Sequence, residues 1–157
     1  MKDSIITGLS FGLTSGVITT LGLLIGLYSA TNSKIAIIGG ILTIAIADAL
    51  SDSFGIHISE ESIKKKEKFI WEATFSTFIN KFLFAITFII PILFLPTKMA
   101  VWVSSAWGLF LIITFTYFIS KKNKIPVLKA IIEHIILTLL VITISYLVGI
   151  FVDSIFT

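Results

Sequence analysis

Long apolar runs, separated by brief polar ones, organise this chain. The first covers about residues 5–28 and carries no charge between Asp3 and Lys34. The second, about 35–56, is apolar except for Asp48 and Asp52. The third, about 70–95, holds Glu72 and Lys81 in its first half; the fourth, about 99–119, is uncharged. The fifth, about 127–151, has Glu133 and His134 near its start. Each run approaches or exceeds the ~20 residues that cross a bilayer core. Backbone groups in lipid must be satisfied internally, so the runs are predicted to be helices. The pattern thus predicts an all-α, polytopic membrane protein, with residues 1–157 forming a single transmembrane domain of five helices.

Charge placement orients them. Lys2, four lysines at 64, 65, 66 and 68, and four at 121, 122, 124 and 129 share one side if five helices alternate. Only Lys34 and Lys98 fall on the other side, and Lys81 lies within the third run. The positive-inside rule then predicts a cytoplasmic N-terminus and a C-terminus on the far side. A cell membrane is expected rather than an organelle membrane. Composition agrees: 56% of the residues are hydrophobic and 13% charged, where a soluble domain has about 25% charged. All basic residues are lysines and the net charge is only +3, which gives no reason to expect nucleic acid. Cysteine is absent, so disulfides and thiolate metal sites are excluded.

Two helices carry patterned small or polar residues. On the first, Gly8, Gly12, Ser15, Thr19, Gly22 and Gly26 form one continuous stripe. Such stripes let membrane helices approach closely. This one is expected at or near a dimer interface, with Gly12, Ser15 and Thr19 also able to line a polar path. On the second, Asp48, Ser51, Asp52, Gly55 and Ser59 share a face. A carboxylate at bilayer depth costs roughly 2.5–3.5 kcal/mol on the insertion scale. Lys81, with Asn80 beside it, offers a structural ion pair for one aspartate, but one lysine cannot neutralise two. The remaining charge calls for a proton, water or a cation.

The run "DALSDSFGIHIS" at 48–59 resembles the second helix of the vacuolar iron transporter family, which reads G-A-L-S-M-A-x-G-E-Y-x-S. Ala49, Leu50, Ser51, Gly55 and Ser59 match. Gly8-Leu9-Ser10-Phe11-Gly12-Leu13 is similar to the family's G-x-x-D-G-L, Pro91 to Pro96 keeps its P-x-x-x-x-P spacing, and "YLVG" at 146–149 is also similar. The resemblance implies a five-helix homodimer with a path between the two copies of helices one and two. It further implies export of ferrous iron or manganese from the cytosol in exchange for protons. The family's pore ligands are changed: its helix-one Asp is Phe11 here, its helix-two Met is Asp52, its motif Gly is Asp48 and its Glu is Ile56. The connection between helices two and three is too short for the metal-binding domain some members carry.

The expected metal ligands are therefore Asp48 and Asp52, with Gly12, Ser15, Thr19, Ser51 and Gly55 lining the path and Lys81 as a charge partner. Across a two-fold axis the aspartates would be four, which demands protonation or a divalent cation. An all-oxygen site suits Mn²⁺, Mg²⁺ or Ca²⁺ and admits Fe²⁺. His57, Glu60, Glu61 and Glu72 are candidates for a cytosolic mouth, His57 and Glu61 being four apart. Glu133 and His134 read as a structural pair with Lys81 or Lys129, or as a proton relay. No nucleophile constellation, phosphate loop or HExxH motif is present, so no enzyme is expected and no resident cofactor. A non-transporting membrane interaction protein and a proton or monovalent-cation pathway are the alternatives.

Overall fold

The computed structural model describes residues 2–156 and is all α-helical among them. Helix α1 covers Asp3–Thr31, α2 Lys34–Ser62, α3 Glu67–Thr87, α4 Ile89–Phe94, α5 Thr97–Lys122 and α6 Val127–Phe156. With α3 and α4 counted as one span, five are long and apolar enough to cross a membrane. The protein is a multi-pass integral membrane protein. At 29 residues, α1 and α2 each extend roughly 43 Å, past both edges of a hydrocarbon core.

Tight turns force antiparallel neighbours. Asn32 closes α1 in the left-handed region (φ 47°), its N–H reaching the Tyr28 carbonyl. Ser33 opens α2 at once, its hydroxyl accepting the Ala36 N–H. Asparagine tolerates left-handed backbone and serine is a preferred N-cap, so two residues suffice to reverse the chain. The third apolar run, read as one helix from the sequence, is broken at Phe88. Pro91 explains the break. It cannot donate to the Thr87 carbonyl four residues earlier, and its ring crowds that carbonyl. The Thr87 hydroxyl instead accepts a hydrogen bond from the Trp107 indole at 3.0 Å, tying the break to α5.

Helix α1 is the axis of the bundle. Half of its most apolar window is buried, against 11% for α6. Its Leu13, Val17, Leu21 and Leu24 meet Ile37 and Ile41 of α2, Phe88, Ile92 of α4 and Ile112 of α5 in the main apolar core. Glycine makes this centrality possible. A Cβ on Gly8 would lie 2.4 Å from the Ala73 carbonyl oxygen, and one on Gly12 2.6 Å from that of Thr77. On the upper half, a Cβ on Gly22 would lie 3.0 Å from Val141 of α6. The α1 stripe was expected at or near a dimer interface; within the chain α3 packs on Gly8 and Gly12 and α6 on Gly22, because only glycine lets those helices come so close.

Candidate functional site: a buried lysine between two aspartates

Three helices meet at one polar cluster. Asp48 and Asp52, one helical turn apart, project from the same side of α2. Lys81 of α3 reaches between them and is only 1% exposed. Its ammonium lies 2.6 Å from Asp48 Oδ2 and pairs still more closely with Asp52 Oδ2. It also donates to the Ser15 hydroxyl of α1 at 2.9 Å, and Ser15 in turn donates to Asp52 Oδ2 at 2.6 Å. Gly16 makes room for the lysine. A Cβ there would lie 3.1 Å from Lys81 Cγ, so the aliphatic stem runs across a bare stretch of α1.

The two carboxylates are not equivalent. Asp52 accepts aligned hydrogen bonds from both Lys81 and Ser15. Asp48 has the Coulomb contact alone: its Oδ2 is buried and accepts no hydrogen bond. These two descriptions of Asp48 Oδ2 are compatible, since a 2.6 Å ion pair can be poorly aligned; proximity lowers its energy but leaves its lone pairs unsatisfied. Two carboxylates against one ammonium leave one negative charge over. The aspartate side chains are 30% and 22% exposed, so the cluster opens on its α2 side while the lysine is sealed.

The other expected path residues divide by location. Ser15 belongs to the cluster. Gly12 is buried against α3, where a Cβ would also lie 3.2 Å from the Lys81 nitrogen of the backbone. Thr19 turns its hydroxyl back to the Ser15 carbonyl at 2.9 Å. Ser51 and Gly55 are exposed, and a Cβ on Gly55 would meet nothing within 4 Å. They belong to a row at four-residue spacing on α2, Gly39, Thr43, Ala47, Ser51, Gly55 and Ser59, all small and all exposed. Asn80, considered a partner of the aspartates, donates instead to the Ser76 carbonyl at 2.7 Å.

The candidates for the mouth are dispersed. His57 Nδ1 lies 3.1 Å from the Thr74 hydroxyl, with Trp71 edge-on to the ring. Thr74 donates its own proton to the Ile70 carbonyl, which leaves its oxygen to accept from His57 Nδ1. Glu72 is held by Lys2 at 2.7 Å and Ser4 at 2.6 Å, fastening the start of α1 to α3. Glu60 Oε2 is buried without a partner, and Glu61 is exposed. No three His, Asp or Glu side chains among the described residues are grouped to hold a metal. Glu133 stands 3.9 Å from Lys129, and His134 shares a 2.7 Å hydrogen bond with Thr116. Gly16, which seats Lys81, lies off the predicted stripe. Its signal was only its depth on α1, one turn beyond Gly12.

Compared with protein-family models, curated proteins and solved structures, the chain finds no match.

Proposed function

We propose that this protein moves cations across its membrane and that the Asp48–Lys81–Asp52 cluster is where a cation exchanges with a proton. The observation that carries the reading is two carboxyl groups set against one buried lysine between membrane-spanning helices, with a buried Asp48 oxygen that accepts no hydrogen bond. An intramembrane acid with an uncompensated charge marks an ion or proton pathway by default.

Charge bookkeeping narrows the exchange. Lys81 stands where a metal between the two carboxylates would sit. A divalent cation bound by Asp48 and Asp52 neutralises both, and the ammonium beside it is then repelled. Loss of one proton from the cluster would restore neutrality. Entry of a divalent ion would thus release a proton, as coupled export requires. The oxygen ligands favour Mn²⁺, Fe²⁺ or Mg²⁺ over softer metals. The resemblance to the vacuolar iron transporter family supports iron or manganese as cargo, outward from the cytosol, across a cell membrane. For the homodimer, the bare α2 row through Ser51 and Gly55 is the surface that suits a second copy, in place of the α1 stripe.

A second reading rests on the same surplus charge. One monovalent cation or one proton neutralises the cluster while Lys81 stays charged, giving a proton or monovalent-cation pathway. Purified protein in liposomes separates the readings. Divalent uptake with opposite proton flux, lost in Asp48→Asn and Asp52→Asn, supports the first. Flux of Na⁺ or protons alone supports the second. Wild-type divalent flux in both variants would reject the cluster as the transport site and leave it a structural clamp.

A further inference from the structure

At the end of the bundle remote from the lysine-rich loops, α1, α5 and α6 leave a crevice of about 430 Å³. Ile25, Val101 and Ile142 give it an apolar floor, and Lys98, Tyr28 and Tyr146 line it with polar groups. Trp102, one turn after Lys98, is largely exposed beside it. The other hydroxyls there are occupied: Ser105 bonds the Val101 carbonyl and Thr143 that of Leu139. Lys98 and the two tyrosine hydroxyls have no hydrogen bond or ion pair among the described residues.

The neighbouring cation cannot serve instead. Lys34 donates to the Leu93 and Leu95 carbonyls at 3.0 and 3.4 Å, which holds it against the end of α4. Among the described residues, Lys98 is therefore the lysine without a partner at this end, and it lines the same crevice as the apolar floor. Tyrosine and tryptophan are the side chains that settle at headgroup level. A basic group at the mouth of a crevice between membrane helices suits a lipid phosphate.

We propose that this crevice is a binding site for one phospholipid, with the phosphate on Lys98 and the tyrosine hydroxyls and an acyl chain along Ile25, Val101 and Ile142. Charge complementarity selects a phosphate, and the apolar floor selects a ligand that carries a chain. Free phosphate would leave that floor unfilled. The site is separate from the aspartate cluster and does not depend on the transport reading.

The test uses the full-length protein, delipidated in detergent and titrated with phosphatidylglycerol under native mass spectrometry. One tightly held lipid per chain is expected. Lys98→Gln should weaken it about tenfold, the size of one lost charged hydrogen bond. Lys98→Arg should keep most of the affinity, and Thr143→Trp should lower it by filling the slot. Lys121→Gln, at the opposite end, should leave it unchanged. Inorganic phosphate and diacylglycerol, each offering half of the ligand, should fail to compete. Equal affinity in Lys98→Gln and wild type would overturn the proposal. So would no retained lipid, loss of affinity in Lys121→Gln to the same degree, or competition by either half-ligand.

Discussion

Helices α1 and α2 each carry a row of small residues, and the two rows meet opposite fates. Along α1 the glycines are spent inside the chain, with α3 against Gly8 and Gly12 and α6 against Gly22. Along α2 the row through Gly39, Ser51 and Gly55 is bare, with nothing near enough to touch a Cβ on either glycine. Small residues declare that something comes close; they do not say what. The choice is made by the other faces of each helix. The opposite side of α2 takes Ile37, Ile41, Ala45, Ala49 and Ser53 inward at four-residue spacing, which fixes its small row outward. Helix α1 buries residues on nearly every side, so its stripe has nowhere to face but another helix of the same chain.

Substitutions can break or sharpen that contrast. The largest effect is expected at Lys81, seated on α1's bare stretch and claimed by α2's aspartates. Lys81→Met should cost about 3–5 kcal/mol by leaving buried carboxylates unpaired. Adding Asp48→Asn and Asp52→Asn to it should recover most of the loss. Denaturant unfolding in detergent reads both; no recovery in the triple variant would mean that the lysine acts by shape and not by charge.

Gly12→Leu comes next. Its side chain would drive into the Thr77 carbonyl, and overpacking of that kind costs about 1–3 kcal/mol or more. Gly55→Leu should change stability by no more than about 0.5 kcal/mol, since it points into open space. Equal thermal stability of the two variants would erase the distinction between the rows.

Between the aspartates the expected difference is smaller. Asp52→Asn should destabilise more than Asp48→Asn, by about 1 kcal/mol, because only Asp52 accepts from Ser15 as well as Lys81. The reverse order in thermal melts would mean that the Ser15 bond contributes little. The least perturbing probe exploits the absence of cysteine. Ser51→Cys should form disulfide-linked dimers on mild oxidation, while Thr19→Cys should not. Cross-linking through Thr19→Cys alone would return the dimer surface to α1.

The spans were legible because lipid imposes a single requirement, length of apolar sequence, and the observed helices fall on the predicted runs, the last continuing to Phe156. The pairing of Lys81 with the aspartates was legible as a possibility because it is the only cation deep within an apolar run, Lys129 lying two residues from the start of the fifth. The break at Phe88 was not drawn, although Pro91 was in view, because a proline in a membrane helix can be absorbed without one. His57 joins Thr74 across a helix pair, a contact with no local period, and its ring turns to Thr74 and Trp71 although its spacing suggested a partnership with Glu61. The use of the α1 glycines was hidden for the same reason: it depends on which helices surround α1, and a periodic pattern carries no identity for the neighbour.

The 29 residues that separate Lys81 from Asp52 also set an order of events during synthesis. The second span leaves the ribosome with both acids before their counter-charge exists. At ~5–20 residues per second the gap lasts on the order of 1–6 s. During that time the span must stay protonated, stay near water, or wait beside the insertion machinery. The turn at residues 63–66 then lets α3 fold back directly on α2, so that the two can enter the bilayer together as a hairpin already neutralised in part. The buried lysine is in this sense a late-arriving permit for the helix before it, and the short lysine-rich turn keeps that delay brief.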